Sequence, residues 1–161
     1  MRVRYLEAMY DLGPDQSHVA VPPEADKKLA RMAKDLVGTE DLIAIYIPLS
    51  TPESYDSASA MRGKVVGAVK LLAMPRGKVV SDYYFEDPVD RKRRWPIGWP
   101  CEVFSYPPAE ARFDLKPLIE VVHGVGQFPA YTSMFQSGAV EVRADLGERL
   151  LRRLAPYPEA R

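Results

Sequence analysis

Two Trp-Pro pairs in close succession set the tightest limit on what this chain can build: Asp90-Arg-Lys-Arg-Arg-Trp-Pro-Ile-Gly-Trp-Pro100 holds both of its tryptophans. Proline removes a backbone donor and biases its predecessor towards extended geometry, so this run cannot be a regular helix. It reads as a loop leading into a strand. The following Cys101-Glu-Val-Phe-Ser-Tyr106 is rich in β-formers with polar residues among apolar ones, as a half-buried strand should be. Trp95 and Trp99 are therefore expected at the mouth of a sheet, beside the densest cation run of the chain, Arg91, Lys92, Arg93 and Arg94. Positive charge next to flat aromatic faces is what a nucleobase site needs.

A chain of 161 residues has the length of one domain and enough apolar content for a core without staples, so a single domain over 1–161 is expected. No segment approaches the roughly 18 uninterrupted apolar residues of a membrane span. The first residues lack the apolar stretch of a signal peptide, and one cysteine cannot form an internal disulfide, which makes a cytoplasmic protein without a membrane partner the expectation. Zero net charge argues against coating nucleic acid by bulk electrostatics. Any contact with nucleic acid must be local.

The periodicities alternate between strand and helix. Residues 3–9 read as a first strand, stopped by Asp11-Leu-Gly-Pro14. Ala25, Leu29, Met32, Ala33 and Leu36 recur at helical spacing behind Pro22-Pro-Glu-Ala-Asp26, with Gly38 as the stop. Leu42-Ile-Ala-Ile-Tyr-Ile47 is a continuous apolar run, as of a central strand covered on both faces. Residues 50–59 read as a surface loop, and residues 63–73 as a long strand in which Gly67 marks a bulge or a close backbone approach. Residues 115–122 suit a short helix with Pro117 in its first turn, ended by Gly124 and Gly126. Residues 138–142 suit a last strand. Asp145 with Glu148 resembles a capping box before a helix whose apolar stripe is Leu146, Leu150, Leu151 and Leu154.

These pieces, in this order, resemble the EVE domain of the PUA-like superfamily. The resemblance rests on Val66-Gly-Ala68, on Tyr83 or Tyr84, on Asp87-Pro88, on Arg94-Trp-Pro96, and on Phe135-Gln-Ser-Gly138 before the closing strand and helix. The chain departs from the family at its opening strand, Tyr5-Leu-Glu-Ala8, where a tryptophan and a lysine-serine-glutamate type motif are usual, and in carrying Trp99. The resemblance implies an α+β fold with a small twisted, partly closed β-barrel flanked by helices. It also implies recognition of a modified base in DNA or RNA, as in the related YTH readers.

A pocket that tells a methylated base from its parent must enclose apolar surface between aromatic faces, and base stacking is worth roughly 1–3 kcal/mol. Trp95 is the first candidate wall and Trp99 the second, with Tyr83 or Tyr84 reaching over from the preceding loop, while Arg91, Lys92, Arg93 and Arg94 would hold phosphates. The competing reading is structural: tryptophan commonly fills cores, and a basic run is commonly a solvated loop. Catalytic signals are sparse. His18 and His123 are far apart in sequence and no Cys-x-x-Cys spacing exists, so no metal and no cofactor are expected and no residue is assigned a catalytic role. Cys101 reads as a small buried hydrophobe. The alternatives are a small hydrolase of the PUA-like ASCH type acting on a nucleoside or similar metabolite, with Lys64 or Lys70 beside Glu102, or a protein-interaction module.

Overall fold

The computed structural model describes residues 1–10, 12–15, 18–21, 26–53, 55–73, 85–86, 93–95 and 97–157. In chain order these form β1 (Val3–Ala8), β2 (His18–Val21), α1 (Asp26–Leu36), β3 (Leu42–Tyr46), α2 (Asp56–Ser59), β4 (Lys64–Leu71), β5 (Phe85–Glu86) and β6 (Arg93–Trp95). The second half gives β7 (Ile97–Ser105), β8 (Phe113–Asp114), α3 (Leu115–His123), α4 (Phe128–Ser133), β9 (Val140–Glu141) and α5 (Ala144–Leu154). The α+β class is as expected. The main sheet runs β2-β7-β4-β3-β1-β9, with β8 beside β4, and β5–β6 form a separate two-stranded sheet. Among the described residues the path stays open from β2 to β9 rather than closing on itself. No helix among them is long and apolar enough to cross a membrane.

Strand β3 organises the interior. It pairs parallel with β1 and antiparallel with β4, and every residue of it is buried. Alternation then sends Ile43, Ile45 and Ile47 to one core, with Met32, Ala33 and Leu36 of α1 and with Trp99, Cys101 and Val103 of β7. Leu42, Ala44 and Tyr46 face the other, built on Leu115 and Ile119 of α3, Phe128 and Tyr131 of α4, and Leu146, Leu150 and Leu154 of α5. Each such aliphatic side chain contributes about 1.5–3 kcal/mol by leaving water, which is how a chain without disulfides holds two helical layers on one sheet.

Several local expectations are met and some are not. Gly38 ends α1 at φ 84°, as a helix stop should. Residues 50–59 contain the short helix α2, where a plain loop is expected. The first position of α5 follows Arg143, so Asp145 sits inside the first turn rather than at its cap. There its carboxylate accepts from the Leu146 N–H at 3.0 Å and pairs with Arg143 at 3.0 Å. The far end of α5 is held by Ser105, whose buried hydroxyl donates to the Leu154 carbonyl at 2.7 Å. Helix α4 and strand β2 have no counterpart in the sequence expectations.

Gly67 carries the bulge expected of it. The β3–β4 register shifts between Ile45 and Tyr46, which face Gly67 and Val65, and the faces of β4 swap accordingly: Val65 and Ala68 lie in one core, Val66 and Val69 in the other. A Cβ on Gly67 would stand 2.5 Å from the Ser105 carbonyl oxygen and 2.7 Å from Leu12 Cδ2. Backbone cannot yield there cheaply. Gly67→Ala is therefore expected to lower unfolding free energy by about 1–3 kcal/mol in a urea titration. Gly13→Ala, where nothing lies within 4 Å of the new Cβ, serves as the silent control.

Candidate functional site

The parallel strands β1 and β3 end side by side, Glu7 opposite Ile45 and Ala8 opposite Tyr46. Beyond their carboxyl ends opens a cleft of about 620 Å³, a volume in the usual range for small-molecule sites. Its aromatic lining comes from Tyr10, Tyr46 and Phe135, and the chain after β3 adds Pro48, Leu49 and Ser50. Helix α4 closes the other side with Pro129, Thr132 and Ser133. The rings of Tyr46 and Phe135 stack with centroids 5.4 Å apart at 24°, and Phe128 and Tyr131 meet this pair edge-on from behind. The wall is thus braced from the core, and its aromatic surface is set before any ligand arrives.

Glu7 is the anomaly of the cleft. It is 3 % exposed, lying on β1 between Tyr5 and Met9, both in the first core. Its Oε2 is buried with no hydrogen-bond partner among the described residues. Burial alone pushes its carboxyl from the ordinary range up to about 8. None of the described residues lining the cleft is a lysine or arginine. A carboxyl buried away from water disfavours its charged form. Tyr46 is pushed up to about 12, again by burial, partly offset by a backbone hydrogen bond at Leu49.

A second cleft of about 680 Å³ shares Leu49 and Pro129 with the first. Arg62 and Lys116 border it together with Asp114 and Glu120, and Arg62 is anchored by donating from Nε to the Thr51 carbonyl at 2.7 Å. The two clefts meet across one ridge.

The residues singled out by sequence are placed differently. Trp99 lies inside β7, opposite Val19 of β2, with 0 % of its surface exposed. It is a core residue rather than a wall at the sheet's mouth, because the alternation of β7 turns Trp99, Cys101 and Val103 to the same interior side. Pro100 is tolerated in that strand because it faces His18, the first residue of β2, where a missing ladder donor costs least. Trp95, Arg93 and Arg94 form β6, with Trp95 opposite Phe85; their side chains lie outside the description. Tyr83, Tyr84, Arg91 and Lys92 lie outside the described residues. In the main sheet β7 and β4 stand between β2, which β6 approaches, and the β3–β1 pair that ends in the cleft.

The lysines considered for a hydrolytic site are engaged elsewhere. Lys64 pairs with Asp114 at 3.3 Å and Lys70 with Glu40 at 3.0 Å, while Glu102 is exposed on the strand beside Lys70. Cys101 is buried, its thiol pushed up to about 12 by burial and by the neighbouring Glu102, which suits a packing role. Among the described residues no cluster of three or more histidine, cysteine or acidic side chains could hold a metal. No family model matches the chain, and no curated protein matches its sequence.

Glu7 links the cleft to stability. Its folded pKa is raised above the unfolded one, so its stabilising contribution is complete below the unfolded value near 4.5 and is lost as pH rises towards about 8. Glu7→Gln removes this loss. In thermal melts the variant is expected to match the wild type near pH 4.5 and to exceed it increasingly up to pH 8. The gap there should reach a few kcal/mol, since each unit of separation is worth about 1.4 kcal/mol.

Proposed function

We propose that the protein is a non-catalytic binding module of the PUA-like, EVE type that takes up a single modified base from a DNA or RNA strand. The observation that carries this reading is the aromatic cleft at the ends of β1 and β3, walled by the stacked rings of Tyr46 and Phe135. A flat heterocycle can stack on the Phe135–Tyr46 wall. A methyl group on the base adds apolar contact with the same wall. Neighbouring nucleotides would cross the ridge of Leu49 and Pro129 towards Lys116 in the adjoining cleft. Arg93 and Arg94 of β6, with Arg91 and Lys92 before them, are the proposed contacts to phosphates further along the strand, and Trp95 the proposed stacking partner there.

The aromatic and cationic contributions separate by experiment. Phe135→Leu keeps apolar bulk but removes the ring, and is expected to weaken binding of a methylated oligonucleotide by roughly 1–3 kcal/mol and to erase its preference over the unmethylated strand. Arg93→Gln or Arg94→Gln is expected to weaken both strands alike and to flatten the dependence on salt. Calorimetric titrations with matched oligonucleotides read both effects. Absence of binding by the wild type to any oligonucleotide or nucleotide would refute the proposal.

A further inference from the structure

The ridge between the two clefts has a defined build. Leu49 stands at its crest, 60 % exposed, and lines both clefts, as does Pro129. A lone exposed leucine is ordinary, but this one is carried on a braced turn. The Thr51 N–H and hydroxyl both donate to the Pro48 carbonyl, at 3.1 and 2.7 Å, and the Thr51 carbonyl accepts from Arg62 Nε at 2.7 Å. Gly63 lies against the crest, where an added Cβ would stand 3.1 Å from Leu49 Cδ2. Phe128 lines the second cleft and meets edge-on the Tyr46 ring that lines the first, with centroids 6.4 Å apart. The second cleft, of about 680 Å³, matches the first in size and takes apolar surface from Pro117, Val125, Phe128 and Pro129. Its charges are unevenly used. Asp114 pairs with Lys64 at 3.3 Å and Glu120 accepts from the Gly126 N–H at 3.2 Å, whereas neither Arg62 nor Lys116 has an ion pair among the described residues. The charge left over is positive, as a phosphate chain requires.

Resting on the base-binding reading above, we infer that the ligand is taken up as a two-nucleotide step, with Leu49 and Pro129 as a wedge between successive bases. The modified base stacks on the Tyr46–Phe135 wall, its neighbour lies in the second cleft against Pro117 and Val125, and Arg62 and Lys116 face the phosphates. Leucine and proline are side chains of the kind that part stacked bases. Two bases on opposite sides of one ridge cannot stay stacked on each other, so the step must be open. Single-stranded segments, whose bases splay apart readily, meet that demand at least cost. The neighbour is held by apolar contact and charge, so its presence matters while its identity does not.

The test is calorimetry with single-stranded ribo- and deoxyribo-trinucleotides that carry 5-methylcytosine or N6-methyladenine between two pyrimidines, set against the same strands with an abasic site on the 5′ or the 3′ side and against the methylated mononucleotides. Removing the base on one side is expected to weaken binding by about tenfold or more. Removing the other base, or exchanging the neighbour for a different base, should cost less than about threefold. Val125→Asp changes a residue that is 87 % exposed and lines the second cleft but not the first. It is expected to cut the advantage of the trinucleotide over the mononucleotide to less than about threefold, with folding checked by circular dichroism. 2-Aminopurine in the neighbour's place should brighten on binding to wild type, as a base parted from its stack does, and brighten less with Leu49→Ala. A trinucleotide no tighter than the mononucleotide, abasic strands that all bind like the full one, or equal brightening with Leu49→Ala would each overturn the inference while leaving base binding intact. No binding by any of these strands or nucleotides would instead defeat the reading on which it rests.

Discussion

Strand β3 has no face and no edge open to water, and the layout of the molecule follows from that. Both of its edges are occupied, by β1 and by β4, and both of its faces are covered by helices or by side chains of other strands. With solvent excluded, the side-chain alternation of Leu42–Tyr46 assigns each residue to one of two cores, and a slip of one position would exchange them all. The neighbours adjust to β3 rather than the reverse. On β1 the register shifts between Val3 and Tyr5, and on β4 a bulge at Gly67 lets the strand change faces without breaking its ladder.

The cleft is a consequence of this arrangement. Tyr46 is the last residue of β3 in the second core, so its ring is delivered to the strand's end with Phe128 and Phe135 already packed against it. The parallel partner β1 ends beside it, with Ala8 opposite Tyr46 and Glu7 opposite Ile45, turned to the other face. Antiparallel neighbours would have sent one of those ends to the opposite side of the sheet. Rigid strands thus hold the aromatic wall in place, while α4 supplies the far side of the cleft. The hydroxyl of Tyr5, one step back along β1, is held by Asp35 of α1 at 2.7 Å and is kept well above the ordinary phenol range by burial and by that carboxylate. The strand carrying Glu7 is thereby tied to the helix that covers it.

Much of the scaffold was legible from the chain. The apolar run of β3, the helical spacings of α1, α3 and α5 and the special position of Gly67 all act through local periodicity or local backbone geometry, which sequence carries directly. Trp99 misled for a physical reason. A tryptophan before proline signals an extended backbone correctly, but extension is compatible with a buried strand as well as with a loop, and the partner that hides it, β2, is too short to announce itself. Glu7 escaped because a lone acid in a strand pattern reads as a solvated residue. The signal that could have found it is the alternation Tyr5, Glu7, Met9: two apolar residues facing inward force the acid between them inward too. Helix α4, only six residues long and containing Pro129, depends on packing against Tyr46 rather than on its own periodicity. That is a tertiary effect no local pattern encodes.

A buried acid that is neutral at physiological pH is the centre of this account, and it can be observed directly. Carbon-13 NMR of protein labelled at the glutamate carboxyl follows the Glu7 resonance, assigned through Glu7→Gln, as pH is raised. Burial of Glu7 without compensation requires a midpoint near 8. A midpoint in the ordinary carboxylate range, about 4.3, would contradict it.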